Sequence, residues 1–144
     1  MQVKTDRVAF TDGTGAQVTV ADLRGGTRGV ALYFIRAASC AICVRHVKDL
    51  AGLRLDDRDV TPVVVVPGGE AQAARVRRVA GPVRVVSSAG AEAHHTVGLP
   101  RAMLVQQSGT LLVDAKGDVR YRLAATLPTG GFDAAALTAA VAAL

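Results

Sequence analysis

The segment GVALYFIRAASCAIC, which covers residues 29–43, decides the fold of this chain. Its first part, residues 29–35, is a continuous apolar run that ends at Arg36. An apolar run of this length without polar alternation is typical of a strand that is buried on both faces of a sheet. Two cysteines, Cys40 and Cys43, follow the strand after a short loop. We therefore expect a central strand that delivers two thiols to the start of the next element.

The residues after this loop indicate a helix over residues 40–55. Apolar side chains recur there at helical spacing, and charged side chains fall between them. Ser39 is the predicted N-cap residue, which places Cys40 and Cys43 in the first turn of the helix. Because only two residues separate the cysteines, a helical first turn brings their sulfur atoms within reach of a disulfide bond.

The rest of the chain alternates strands and helices. The predicted elements are a β-hairpin over 8–20, a short helix over 21–24, strands over 29–35 and 60–66, a helix from 67–69 to about 80, a strand over 83–86, a short helix over 91–97, a candidate strand over 103–107, a hairpin of 110–114 and 119–123, and a helix over 134–144 capped by Asp133. The βαβ units predict parallel strands, and the late hairpin adds antiparallel ones. The sequence thus predicts an α/β fold, with a central mixed β-sheet flanked by helices, in a single domain over residues 1–144.

Composition and charge argue against several classes of protein. Of the 144 residues 50% are hydrophobic and 20% are charged, so the chain is neither disordered nor fibrous. The net charge of +5 comes from scattered Arg and Lys residues without aromatic stacking partners, which argues against nucleic-acid binding. No apolar run approaches the roughly 20 residues that span a bilayer. We therefore expect a cytoplasmic protein with no membrane partner.

The cysteine and histidine content argues against a metal site. The chain has 2 cysteines, which do not form the disulfide framework of a secreted protein. A structural zinc site needs four ligands, and adjacent residues such as His94 and His95 point about 100° apart on a helix. We expect neither a metal nor a cofactor. Burial of both cysteines in the core is the structural alternative to a redox role.

Three blocks of the sequence resemble the peroxiredoxin-like AhpC/TSA branch of the thioredoxin-fold superfamily. TDGTGAQVTVADLRGGTRGVALYFIRAASCAIC resembles the opening hairpin, short helix, strand and active-site loop of that branch. VVSSAGAEAHHTVGLP is similar to its inserted strand and helix, and QQSGTLLVDAKGDVRYRLAATLP to its closing hairpin. The resemblance implies a thioredoxin-like fold with an N-terminal β-hairpin extension and an inserted strand–helix.

The loop that resembles an active-site loop, residues 36–43, differs from the residue patterns of both peroxiredoxins and thioredoxins. In the peroxiredoxin register Arg36 takes the place of Pro, Cys40 the place of Thr, and Cys43 that of the peroxidatic cysteine. In the thioredoxin register Cys40 is the exposed nucleophile and Cys43 the resolving thiol, but Ser39 replaces Trp and Ala-Ile replaces Gly-Pro. We favour Cys40 as the attacking thiol, because loss of the Thr removes the group that would position a peroxide at Cys43.

The predicted function is a thiol–disulfide or peroxide oxidoreductase that uses a Cys40-Ala-Ile-Cys43 redox pair. A helix N-terminus stabilises a thiolate, and Arg36 and His46 are candidates for tuning its pKa. The expected partners are a peroxide or disulfide substrate and a thiol reductant, either thioredoxin-like or of low molecular weight; a homodimer is also considered. The alternative is a non-catalytic thioredoxin-fold binding module with a structural or vestigial Cys pair, which the missing Trp, Pro and Thr favour.

Overall fold

The structure, a computed structural model, describes residues 9–88, 101–102, 105–106, 108–125 and 128–144. The strands are β1 (Ala9–Thr11), β2 (Gln17–Thr19), β3 (Gly29–Phe34), β4 (Val60–Val66), β5 (Arg84–Ser87), β6 (Arg101–Ala102), β7 (Val105–Gln106), β8 (Ser108–Asp114) and β9 (Val119–Ala125). The α-helices are α1 (Val20–Arg24), α2 (Ala41–Gly52), α3 (Glu70–Ala80) and α4 (Ala134–Ala142). Short 3₁₀ helices cover Leu55–Arg58 and Pro128–Gly130.

A mixed sheet with the strand order β2-β1-β5-β4-β3-β8-β9 forms the centre of the fold. The pairs β3–β4 and β4–β5 are parallel, and their connections pass through α2 and α3. The pairs β3–β8 and β8–β9 are antiparallel, and the β1–β2 hairpin extends the other edge by antiparallel pairing with β5. This is the predicted thioredoxin-like α/β fold, with the N-terminal hairpin added to its sheet. Strands β6 and β7 pair with each other as a separate ribbon.

Strand β3 connects two hydrophobic layers, because successive side chains of a strand point to opposite faces of the sheet. All six of its residues are buried. Ala31 and Tyr33 belong to the layer that packs under α2, α3 and α4. Val30, Leu32 and Phe34 belong to the opposite layer, which includes residues of α1. The layer under α2 is the one that contains both cysteines.

Most predicted elements of the described ranges are confirmed, with small shifts of their ends. The helix predicted over 40–55 is shorter and ends at Gly52, because Arg54 adopts a left-handed conformation with φ of 50° and a 3₁₀ turn begins at Leu55. The late hairpin is longer than predicted, and Asp133 caps α4 through a hydrogen bond from the Ala136 N–H. The helix predicted over 91–97 lies outside the described residues, as do three residues of the candidate strand over 103–107.

The segment before α4 approaches β8 too closely for any residue but glycine. The Thr110 hydroxyl donates a hydrogen bond of 2.8 Å to the carbonyl oxygen of Gly131. A Cβ atom on Gly131 would lie 2.8 Å from the Cβ of Ser108, well inside van der Waals contact. The absence of a side chain at Gly131 therefore lets this segment dock on the sheet. The next residue, Phe132, is thereby held in the layer that contains the cysteines.

We expect the substitution Gly131→Ala to lower the free energy of unfolding by about 1–3 kcal/mol, the usual cost of forcing an extra carbon atom into a packed site. Urea unfolding measures the change as a lower midpoint. Gly52→Ala is the matched control, because nothing lies within 4 Å of a Cβ there and the residue ends α2. This control should be neutral or more stable by up to about 1 kcal/mol. An unchanged midpoint in Gly131→Ala would contradict the close approach to Ser108.

Candidate active site

Cys40 is the N-cap residue of α2, and Cys43 lies in the first turn of that helix. A tight turn precedes the helix, closed by the Cys40 N–H, which donates to the carbonyl oxygen of Ala37 at 3.1 Å. The sulfur of Cys40 accepts a hydrogen bond from the N–H of Cys43 at 3.3 Å. The prediction of Ser39 as the N-cap is therefore wrong by one residue, because the turn brings the Cys40 sulfur to the free N–H group.

The two thiols differ in their access to solvent. Both belong to the hydrophobic core, but Cys40 keeps 6% exposure, whereas Cys43 is 0% exposed. Val47 and Leu50 share the buried face of α2 with Cys43. Both cysteines are free thiols in this structure. A reactant that arrives from solvent therefore reaches Cys40 before Cys43.

The surroundings of Cys40 stabilise its ionised form. Burial is the largest single influence, and it opposes ionisation. Hydrogen bonds from the thiol and the backbone N–H of Cys43, and from the Arg36 side chain, favour ionisation and together outweigh burial. The positive charge of Arg36 acts in the same direction. As a result the pKa of Cys40 lies below its ordinary value. The N-terminal end of α2, which carries a partial positive charge, is the place in a helix where a thiolate is favoured.

The surroundings of Cys43 have the opposite effect. Burial is the largest cause that raises the pKa of this thiol, and its hydrogen bond to the Cys40 sulfur raises it further. The backbone N–H of Arg36 donates to the Cys43 sulfur at 3.4 Å and offsets only part of the increase. The pair is therefore asymmetric, with Cys40 as the thiol that ionises more readily and Cys43 as the one that keeps its proton.

Arg36 contacts the Cys pair with both its backbone and its side chain. Its backbone N–H donates a hydrogen bond to the sulfur of Cys43, and its guanidinium lowers the pKa of Cys40 through a hydrogen bond and its positive charge. The Nε atom of Arg36 is buried and has no hydrogen-bond partner among the residues described. Arg36, predicted from the sequence as a residue that tunes a thiol pKa, thus lies beside the Cys pair, and its effect on thiol reactivity stays a prediction.

His46, the second candidate for tuning the pKa, reaches the pair through another side chain. Its Nδ1 atom lies 3.2 Å from the hydroxyl oxygen of Tyr33, and a hydrogen bond from the Tyr33 side chain is one of the influences that lower the pKa of Cys43. Burial lowers the pKa of His46 below its ordinary value of 6.5. The imidazole is therefore mostly uncharged at neutral pH and does not supply the positive potential that its position in the sequence suggested.

Tyr33 and Phe132 also lie at the site, and neither was predicted from the sequence to be functional. The Tyr33 ring lies edge-on to the rings of His46 and Phe132, at centroid distances of 5.9 and 5.5 Å. Phe132 also packs on His46 at 5.4 Å. The sequence of β3 could have identified Tyr33, because this residue carries the one hydroxyl group of an otherwise apolar run. The alternation of side chains along the strand also places it on the same face as Ala31. No local pattern identifies Phe132, which arrives from about 90 residues further along the chain.

The described ranges, residues 9–88, 101–102, 105–106, 108–125 and 128–144, also bear on two other kinds of feature, a metal centre and a membrane-spanning helix. Within those ranges no three His, Cys, Asp or Glu side chains cluster in a way that would hold a metal ion. None of the helices described there is both long and apolar enough to cross a membrane. His94 and His95 lie outside the described residues.

A pair of thiols at the N-terminus of the helix that follows the central strand of a mixed sheet defines a thioredoxin-fold protein. The model of the AhpC/TSA family matches residues 2–122, and the chain belongs to this family. No curated protein matches the sequence significantly.

Solved structures of peroxiredoxins and of a disulfide oxidoreductase share this fold. Peroxiredoxin Q of Xanthomonas campestris superimposes with a TM-score of 0.79 at 17% identity, over 96% of this chain and 92% of that one. Peroxidoxin BcpB of Mycobacterium tuberculosis gives 0.73 at 21%, over 99% and 98%. A secreted M. tuberculosis disulfide oxidoreductase homologous to E. coli DsbE gives 0.65 at 20%, over 94% and 95%. At these identities the likeness establishes the fold alone.

We expect Arg36→Met to raise the pH at which Cys40 becomes reactive, because it removes a hydrogen bond and a positive charge from the thiolate. The rate of iodoacetamide alkylation against pH, with peptide mapping to identify Cys40, measures this change. At neutral pH the rate should fall several-fold. Arg45→Met is the control, since Arg45 is exposed on α2 and its loss should leave the midpoint unchanged. Identical midpoints in Arg36→Met and the wild type would refute the role of Arg36.

Proposed function

We propose that this chain is a thiol oxidoreductase that cycles Cys40 and Cys43 between a dithiol and a disulfide, with Cys40 as the attacking thiol and Cys43 as the resolving thiol. The observation that carries the proposal is the asymmetry of the pair. Cys40 retains some exposure and has a lowered pKa, whereas Cys43 is fully buried and has a raised pKa. A thiolate that keeps some exposure, next to a protonated and fully buried partner, suits a two-step exchange in which the first thiol attacks and the second resolves.

With a disulfide substrate, the thiolate of Cys40 attacks one substrate sulfur and the S–S bond of the substrate breaks. One half leaves as a thiolate and takes up a proton, and the other half remains bound to Cys40 as a mixed disulfide. Cys43 then loses its proton and attacks the sulfur of Cys40, which expels the second half. The substrate disulfide gains two electrons and two protons, and the protein is left with a Cys40–Cys43 disulfide.

With a peroxide substrate, the thiolate of Cys40 attacks one oxygen, the O–O bond breaks, and the other oxygen leaves as an alcohol or water after taking up a proton. The sulfenic acid on Cys40 then condenses with Cys43 to a disulfide and releases water. The positive charge of Arg36, whose buried Nε–H has no hydrogen-bond partner within the described ranges, supports this branch, because it favours the Cys40 thiolate that attacks the peroxide. Membership of the AhpC/TSA family and the names of the two peroxiredoxin-type neighbours also support a peroxide substrate and a thioredoxin-type reductant.

A second candidate function is a non-catalytic binding module. Its support is the burial of both cysteines in the hydrophobic core and the absence of the Trp, Pro and Thr that the two related active-site patterns carry. The opposed pKa shifts of Cys40 and Cys43 favour the redox function, because two merely structural thiols in the core would both be expected to have raised pKa values.

We expect mild oxidant to convert the wild-type chain to an intramolecular disulfide. Thiol alkylation followed by mass spectrometry should then show that both free thiols have been lost. Cys43→Ser should instead accumulate a mixed disulfide or, with peroxide, a sulfenic acid on Cys40, because no resolving thiol remains. Cys40→Ser should react with neither reagent, since the remaining thiol is buried and protonated.

The outcomes separate the two functions and the two registers of the active-site loop. If both wild-type thiols stay alkylatable after oxidant, or form only intermolecular dimers, the binding module is favoured and the redox pair is refuted. A sulfenic acid on Cys43 in Cys40→Ser would reverse the assignment and make Cys43 the peroxidatic cysteine. A comparison of hydrogen peroxide with a small disulfide as the oxidant ranks the two substrate classes by rate.

A further inference from the structure

The resolving step leaves one requirement that the Cys pair cannot meet by itself. Cys43 must lose a proton before it attacks Cys40, yet it is 0% exposed, and burial together with the hydrogen bond to Cys40 raises its pKa. Arg36 contacts this sulfur through a backbone N–H, which can donate but cannot accept a proton. The proton therefore needs a route through a side chain that contacts Cys43 and leads towards solvent.

Tyr33 and His46 provide such a route. The hydroxyl oxygen of Tyr33 lies 3.2 Å from Nδ1 of His46. Tyr33 shares the buried layer under α2 with Cys43, and a hydrogen bond from its side chain lowers the pKa of that thiol. Tyr33 is 0% exposed, whereas His46 is only partly buried and can exchange protons with water. Phe132 packs on both rings and holds them in this arrangement.

We propose that Tyr33 and His46 form a proton relay that deprotonates Cys43 during resolution of the mixed disulfide; the inference rests on the dithiol cycle proposed above. The S–H of Cys43 donates its proton to the Tyr33 oxygen while the Tyr33 O–H donates its own proton to Nδ1 of His46. The new O–H of Tyr33 then points back at the Cys43 thiolate, which attacks Cys40 and expels the substrate thiolate. His46 releases the proton to solvent, where the leaving thiolate takes one up, so no external oxidant or reductant is needed.

The protonation states of the two relay residues suit these roles. Burial raises the pKa of Tyr33 above its ordinary value of 10.0, so the hydroxyl passes a proton in one concerted step and does not persist as a phenolate. Burial lowers the pKa of His46, which keeps Nδ1 free to accept a proton at neutral pH. On α2 itself Asp49 raises this pKa and Arg45 lowers it. From the other packed elements Tyr33 faces the ring, as does Phe132, which carries no charge.

Tyr33 touches a reacting atom and is in this sense catalytic, whereas His46 acts through Tyr33 and is a positioning residue. Reaction with 5,5′-dithiobis(2-nitrobenzoate) separates the two chemical steps in one stopped-flow trace. Attack by Cys40 releases the first coloured thiolate, and attack by Cys43 on the resulting mixed disulfide releases the second. The first phase therefore reports on Cys40 and the second on the deprotonation of Cys43.

We expect Tyr33→Phe to slow the second phase by roughly 100-fold at neutral pH, the lower end of what a positioned acid–base group contributes, and to leave the first phase unchanged. The loss should shrink at alkaline pH, where hydroxide removes the proton directly. In the wild type the second phase should rise with pH as His46 becomes neutral and then level off, because only the neutral imidazole accepts a proton. His46→Gln should slow the second phase and abolish this rise while Tyr33 keeps its ring packing.

Tyr121→Phe is the matched control, since it removes the only other phenolic hydroxyl of the chain and should change neither phase. Cys43→Ser should show the first phase alone. A second phase that is unchanged in Tyr33→Phe refutes the relay, as does an equal slowing of both phases at every pH, which would assign Tyr33 a structural role. A wild type that releases only one thiolate refutes the dithiol cycle and the relay with it.

Discussion

The site depends on the interaction between the N-terminus of α2 and the sulfur of Cys40. A helix begins with N–H groups that have no partner within the helix, and here the Cys40 sulfur accepts a hydrogen bond from the N–H of Cys43. The same contact satisfies a donor of the helix and favours the thiolate over the thiol. Because the capping atom is a sulfur and not a hydroxyl oxygen, the side chain that caps the start of α2 is also the group that can react. The Arg36 guanidinium strengthens this preference from the loop before the helix.

The spacing of the pair then forces the second thiol into the core. Cys43 lies at the helix position whose N–H binds Cys40, and its side chain turns towards the sheet, where it is fully buried. Burial makes this thiol hard to ionise, so a dithiol cycle needs a polar group under α2. Tyr33 lies there, on the face of β3 that the helix covers. Its side chain lowers the pKa of Cys43 through a hydrogen bond, and its hydroxyl oxygen lies 3.2 Å from Nδ1 of the partly exposed His46.

The second half of the chain completes this arrangement from a distance. Gly131 lets the segment before α4 dock on β8, and the docked segment brings Phe132 onto the rings of Tyr33 and His46. The ordering of the relay therefore depends on a backbone approach far from the cysteines in sequence.

The sequence by itself determined the order of the elements, the buried strand and the position of Cys40 and Cys43 at the start of a helix, because these follow from local hydrophobic periodicity and spacing. It also indicated Arg36 as a candidate for tuning a thiol pKa, because Arg36 directly follows the buried strand that leads to the Cys pair. It placed the N-cap one residue early, at Ser39, since the choice between neighbouring caps depends on the geometry of the preceding turn. The difference in pKa between the two thiols, the uncharged state of His46 and the roles of Tyr33 and Phe132 were decided only by the tertiary structure. Each of these depends on burial and on contacts between elements distant in sequence, and a linear pattern does not specify them.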